Sequence, residues 1–136
     1  MSRSLELLAA VVGIRPLTVH VSLHNPASAA GPVLVPRPLT PLGAFVTLAV
    51  VDGRGSVVWE SRRPKLGLKL HPDRRESYLE LDPGYSHGVV VRPDGVTLPE
   101  GPCELRVSYS NGPYTGPAEA PIGELALAAV APIDHG

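Results

Sequence analysis

Leu17-Thr18-Val19-His20-Val21-Ser22-Leu23-His24 carries an apolar side chain at every odd position and a polar one at every even position. Successive side chains of an extended chain point to opposite faces, so this period of two describes a β-strand with one face on a core and one toward water. Asn25-Pro26 ends the run. The same pattern returns far along the chain, where Cys103, Leu105, Val107 and Tyr109 share one face and Glu104, Arg106 and Ser108 the other. Two half-buried strands separated by so much chain predict an antiparallel sheet protein.

The intervening sequence is punctuated accordingly. Residues 33–35 read as a short strand before the stiff Pro36-Arg37-Pro38-Leu39-Thr40-Pro41 segment, and residues 45–51 as a nearly continuous apolar strand. Asp52-Gly53-Arg54-Gly55 then turns the chain into Ser56-Val57-Val58-Trp59-Glu60, a hairpin signal because Gly accepts the positive φ of tight turns. Ser77-Tyr78-Leu79-Glu80-Leu81 forms the next strand, Asp82-Pro83-Gly84 turns it into residues 87–92, and Pro93-Asp94-Gly95 turns the chain again. A loop around Asn111-Gly112-Pro113 precedes a last apolar run at 125–130. With 16 Pro and 14 Gly among 136 residues, a mostly helical fold is excluded. Residues 5–14 read as the first strand. Leu, Glu and Ala also suit a short helix at 5–12. Behind Arg3 the stretch imitates a signal peptide with Ala27-Ser28-Ala29 as its cleavage site, but Glu6, Arg15, Pro16, His20, His24 and Asn25 interrupt that pattern. The expectation is one domain over 1–136, an all-β antiparallel two-sheet sandwich of immunoglobulin type with seven to nine strands. A closed barrel is the alternative.

Leu81-Asp82-Pro83-Gly84, then a strand, then Leu98-Pro99-Glu100-Gly101-Pro102-Cys103-Glu104-Leu105-Arg106-Val107 is similar to the ending common in immunoglobulin-like bacterial domains. Together with Asn25, Thr40-Pro41-Leu42, the Asp52-Gly53 hairpin, Pro64 and Tyr78, residues 17–110 resemble the β-sandwich domain preceding the catalytic domain of aspzincin (deuterolysin-like) metalloendopeptidases. More loosely they resemble the intracellular proteinase inhibitor family of bacilli. The resemblance implies a sandwich that binds a protease, as an inhibitor or accessory factor. Two departures limit what it carries. Cys103 stands where such domains place a corner tyrosine, and no His-Glu-x-x-His follows, so zinc protease activity is not implied.

The composition excludes other classes. Hydrophobic residues at 43% are too many for disorder, and no apolar run reaches the ~18 residues of a membrane span. A net charge of −1 provides no global field for nucleic acid or an anionic membrane. Cys103 is the only cysteine, so no intrachain disulfide forms, and a reducing, cytoplasmic setting is expected. Ten of the 12 basic residues are Arg, a composition suited to a GC-rich bacterial genome.

Few residues suggest chemistry. Gly84-Tyr85-Ser86-His87-Gly88 fits the G-x-S-x-G nucleophile elbow, but that motif needs a strand-to-helix turn and here it leads into a strand. His20 and His24 share a strand face about 13 Å apart, too far to ligate one metal at ~2 Å; one of them with His71 or His87 is the alternative metal site. Cys103 reads as a small buried apolar residue. Trp59 reads as core or as a surface anchor, and Tyr85 and Tyr114, in turns, as exposed aromatic contacts. No cofactor set is expected, and a small hydrolase or metal enzyme is the weaker functional class.

Charge asymmetry is the strongest pointer. Residues 54–75 hold Arg54, Arg62, Arg63, Lys65, Lys69, Arg74 and Arg75 against Glu60 and Asp73, a net +5, while the remaining five cations and eleven carboxylates give −6. Such a segment is suited to steering an acidic protein partner or a polyanion. No aromatic residue lies between Trp59 and Tyr78, so a stacking platform for nucleic acid is not expected. The reading is a non-enzymatic protein-binding module whose partner meets Arg62, Arg63, Lys65, Lys69, Arg74 and Arg75. Its alternatives are a solvated connection and a structural subunit assembling by strand addition at a sheet edge.

Overall fold

The computed structural model describes residues 5–62 and 70–133. Within them the chain forms β1 (Glu6–Ile14), β2 (Leu17–His24), β3 (Val33–Pro36), β4 (Val46–Asp52), β5 (Val57–Glu60), β6 (Tyr78–Leu81), β7 (Ser86–Val91), β8 (Cys103–Ser110) and β9 (Ala126–Ile133). One 3-10 turn, Arg75–Ser77, precedes β6. The protein is therefore all-β, as the alternation requires.

The strands pair antiparallel in the orders β1-β2-β7 and β5-β4-β8-β9, with β3 and β6 forming a separate two-stranded ribbon. Sequence-distant strands sit at the centre of each large sheet, the cross-connection of an immunoglobulin-like sandwich. Among the described residues no ladder joins β1 to β9, so the sheets do not close into a barrel. The 5–14 stretch is a strand and not a helix: Glu6 to Val11 pair with His24 to Val19, and a bulge at Val12 shifts the register before Gly13.

Both large sheets supply one core. Leu17, Val19, Val21 and Leu23 of β2 are buried opposite Leu48, Val50, Leu105 and Val107 from β4 and β8. Each such side chain contributes about 1.5–3 kcal/mol by leaving water. Phe45 closes one end, stacking on Tyr109 with ring centroids 6.1 Å apart and meeting Tyr114 edge-on at 5.3 Å. The polar face of β2 is drier than alternation implies, since Thr18 and Ser22 are buried while His20 is exposed. β2 is a central strand, and Ser22 lies against the bare backbone of Gly88, where a Cβ would sit 2.8 Å from the Ser22 Cβ.

Two asparagines take over loop backbone groups. The Asn25 Nδ2 donates to the Gly31 and Leu81 carbonyls, at 3.1 and 3.0 Å. Asn111 Nδ2 donates to the Tyr114 and Gly123 carbonyls, and its Oδ1 accepts from the Leu125 amide at 2.8 Å. These bonds satisfy backbone groups in loops and, at Leu81, at the end of β6.

Candidate protein-binding surface

The basic segment connects β5 to β6, and its two described ends are held differently. Arg63, Lys65 and Lys69 lie outside the described residues. At the first end, the Ser61 amide donates to the Leu48 carbonyl at 2.9 Å and the Ser61 Oγ accepts from the Leu48 amide at 2.9 Å. This leaves Arg62 exposed. There it borders an open depression of about 670 Å³ with Leu42, Trp59, Glu60, Pro93 and Asp94. Trp59 is half-buried, packed on the core yet lining this depression, because it lies on the edge strand β5 opposite the fully buried Val50 of the inner strand β4.

At the second end, three hydroxyls capture three successive carbonyls. Tyr114 Oη donates to Leu70 O at 3.1 Å, Ser77 Oγ to His71 O at 2.7 Å, and Tyr78 Oη to Pro72 O. The Tyr78 hydroxyl also accepts from the Gly116 amide at 3.0 Å, tying the 113–123 loop to the same point. Tyr78 is fully buried and Tyr114 nearly so, so these donors are fixed by packing and the backbone they hold is fixed with them. Tyr114 is thus not the exposed contact that its Gly and Pro neighbours imply; Phe45 and the Leu70 carbonyl draw it inward. Tyr85 is exposed, at 65% of its surface.

Beyond this anchor Arg74 and Arg75 are both exposed. Arg74 lies 4.0 Å from Glu76, with both side chains mostly in water, a pair worth little. Arg75 Nη1 donates to Tyr78 O at 3.2 Å. The structure adds a residue the sequence reading missed. Arg37 meets the same turn: its amide donates to Ser77 O at 3.0 Å and its Nε to Glu76 O at 2.8 Å. His87 Nε2 bonds in turn to Arg37 O at 2.6 Å. The β3–β6 pairing, which sets Pro36 opposite Tyr78, brings Arg37 there; the Pro residues flanking it were the signal that its backbone was fixed.

The other candidates are dispersed. His24 Nδ1 bonds Ser86 Oγ at 2.7 Å across the β2–β7 ladder, so Ser86 meets His24 and not its neighbour His87. Ser86 opens a strand where a nucleophile elbow would open a helix. Among the described residues no three His, Cys, Asp or Glu side chains stand close enough to hold a metal ion, and no helix is long and apolar enough to cross a membrane. Cys103 is buried, and burial pushes its thiol pKa up, away from the reactive thiolate. No protein-family model, curated protein or solved structure matches the chain.

Proposed function

We propose that the chain is a non-enzymatic protein-binding module that meets an acidic partner through the basic segment between β5 and β6. The observation that carries this reading is the concentration of six cations, Arg62, Arg63, Lys65, Lys69, Arg74 and Arg75, against Asp73 and Glu76 in the sequence between β5 and β6, in a chain whose remainder is net acidic. Exposure of Arg62, Arg74 and Arg75 supports it, as does the hydroxyl anchor at residues 70–72, because backbone already held there loses little conformational freedom on binding. The narrower form, an inhibitor or accessory factor of a protease, rests on the resemblance of residues 17–110 described above. The test is capture of partners from the source cell by wild type and by a variant with Arg62, Arg63, Lys65 and Lys69 replaced by Glu. Loss of the captured protein in the variant, and its release from wild type by salt, support the proposal. Unchanged capture and salt response refute it.

A second reading, assembly by strand addition, is favoured by one observation. Among the described residues β5 is an edge strand whose Val57 and Val58 are exposed at 56% and 44%, a template for another strand. Sizing chromatography decides it: a larger species that Val58→Lys returns to monomer size supports edge assembly, and a monomeric wild type removes it.

A further inference from the structure

Resting on the protein-binding proposal, we infer that Arg37 and Arg75 form a carboxylate clamp at the end of the β3–β6 ribbon, and that its occupant is an acidic peptide segment of the partner. The two arginines are far apart in sequence: Arg75 opens the 3-10 turn and Arg37 donates to a carbonyl of that same turn. Each spends one N–H on a main-chain carbonyl, Arg37 on Glu76 and Arg75 on Tyr78. A guanidinium has five such donors in a rigid planar fork, so the rest remain available while the side chain is oriented. Both residues are exposed. The backbone beneath them is also held: Arg37 by its amide bond to Ser77 and by His87 on its carbonyl, and the turn by Ser77 and Tyr78. Guanidinium groups already in place favour bidentate capture of a planar carboxylate.

The local acid does not block the clamp. Among the described residues Glu76 pairs with Arg74 alone, at 4.0 Å and largely in water, so an incoming carboxylate displaces a weak pair. A long polyanion fits less well, because the chain outside residues 54–75 carries −6 and repels phosphates that extend beyond the patch. A short acidic segment touches only the basic part.

The probe is a fluorescent oligo-glutamate peptide, titrated by anisotropy at low salt into the full chain. Arg37→Lys and Arg75→Lys keep the charge and remove the fork, and Arg15→Ala removes an exposed cation elsewhere. The clamp predicts that the double Lys variant weakens binding roughly tenfold while Arg15→Ala changes it less than twofold, with thermal midpoints alike. Equal affinity for wild type and the double Lys variant overturns the clamp, as does tighter binding of a single-stranded oligonucleotide of matched charge. If Arg62, Arg63, Lys65 and Lys69 reversal abolishes partner capture while the Lys variants bind normally, the clamp fails and the protein-binding proposal stands. If neither set matters, both fail.

Discussion

Tyr78 and Tyr109 are both fully buried, and replacing each with Phe should have opposite consequences. The ring, its packing and its apolar burial are retained in either substitution, so only the hydroxyl is tested. Tyr78 Oη donates to Pro72 O and accepts from the Gly116 amide. Deleting it strands both groups, at roughly 0.5–1.5 kcal/mol for each bond, or about 2 kcal/mol together. For a domain of this size that lowers the thermal midpoint by roughly 6–10 °C. Tyr109 Oη is buried with no hydrogen-bond partner among the described residues, so its removal relieves a desolvated polar group and is neutral or stabilising by about 1 kcal/mol. Urea denaturation of wild type and the two variants, with unchanged slopes, measures both. The Tyr78 variant should also show faster hydrogen exchange at the Gly116 amide. If Tyr109→Phe destabilises as much as Tyr78→Phe, the hydrogen-bond accounting is wrong and the anchor of the basic segment does not work as described.

Three further outcomes follow from the same structure. Burial raises the pKa of Tyr109 and Tyr114, with the Tyr78 hydroxyl adding to each; the unfolded chain therefore ionises first, and stability present below about pH 10 is lost as pH rises toward the folded values, a loss that Tyr109→Phe should reduce in alkaline melting curves. Gly116→Ala should destabilise by more than about 2 kcal/mol, because φ is +102° and a Cβ would sit 2.6 Å from the Ile122 amide nitrogen; a melt indistinguishable from wild type contradicts that crowding. Cys103 should react slowly with a thiol reagent in the native protein and quickly in urea, and Cys103→Ser should cost about 1–3 kcal/mol at a core position; rapid native labelling would count against its burial.

What could be read in advance followed from local periodicity. β2 and β8 were plain because apolar and polar residues alternate in both, although only β8 turns a mostly wet face outward, and the Asp52-Gly53 hairpin because its turn chemistry is local. Residues 5–14 were ambiguous because their apolar run carries no clean period; only pairing with β2 decides for a strand. Expectations resting on distant contacts fared differently. Tyr114 reads as a loop residue until Phe45 and the Leu70 carbonyl are brought to it. Arg37 joins Arg75 only through the β3–β6 ladder, and no spacing in the chain announces that meeting. The bonds of the Tyr78 hydroxyl were not legible, because the Pro72 carbonyl and the Gly116 amide that it meets lie outside regular structure.

The central claim is that the basic segment faces the partner. Its most direct test is the salt dependence of association between the purified chain and the partner it captures, measured for wild type and for the Arg62, Arg63, Lys65 and Lys69 to Glu variant by surface-immobilised binding kinetics. The account predicts a wild-type association rate that falls steeply with ionic strength and a variant rate that is far lower at low salt, with no change in thermal midpoint. Identical rates and identical salt dependence for the two proteins would contradict it.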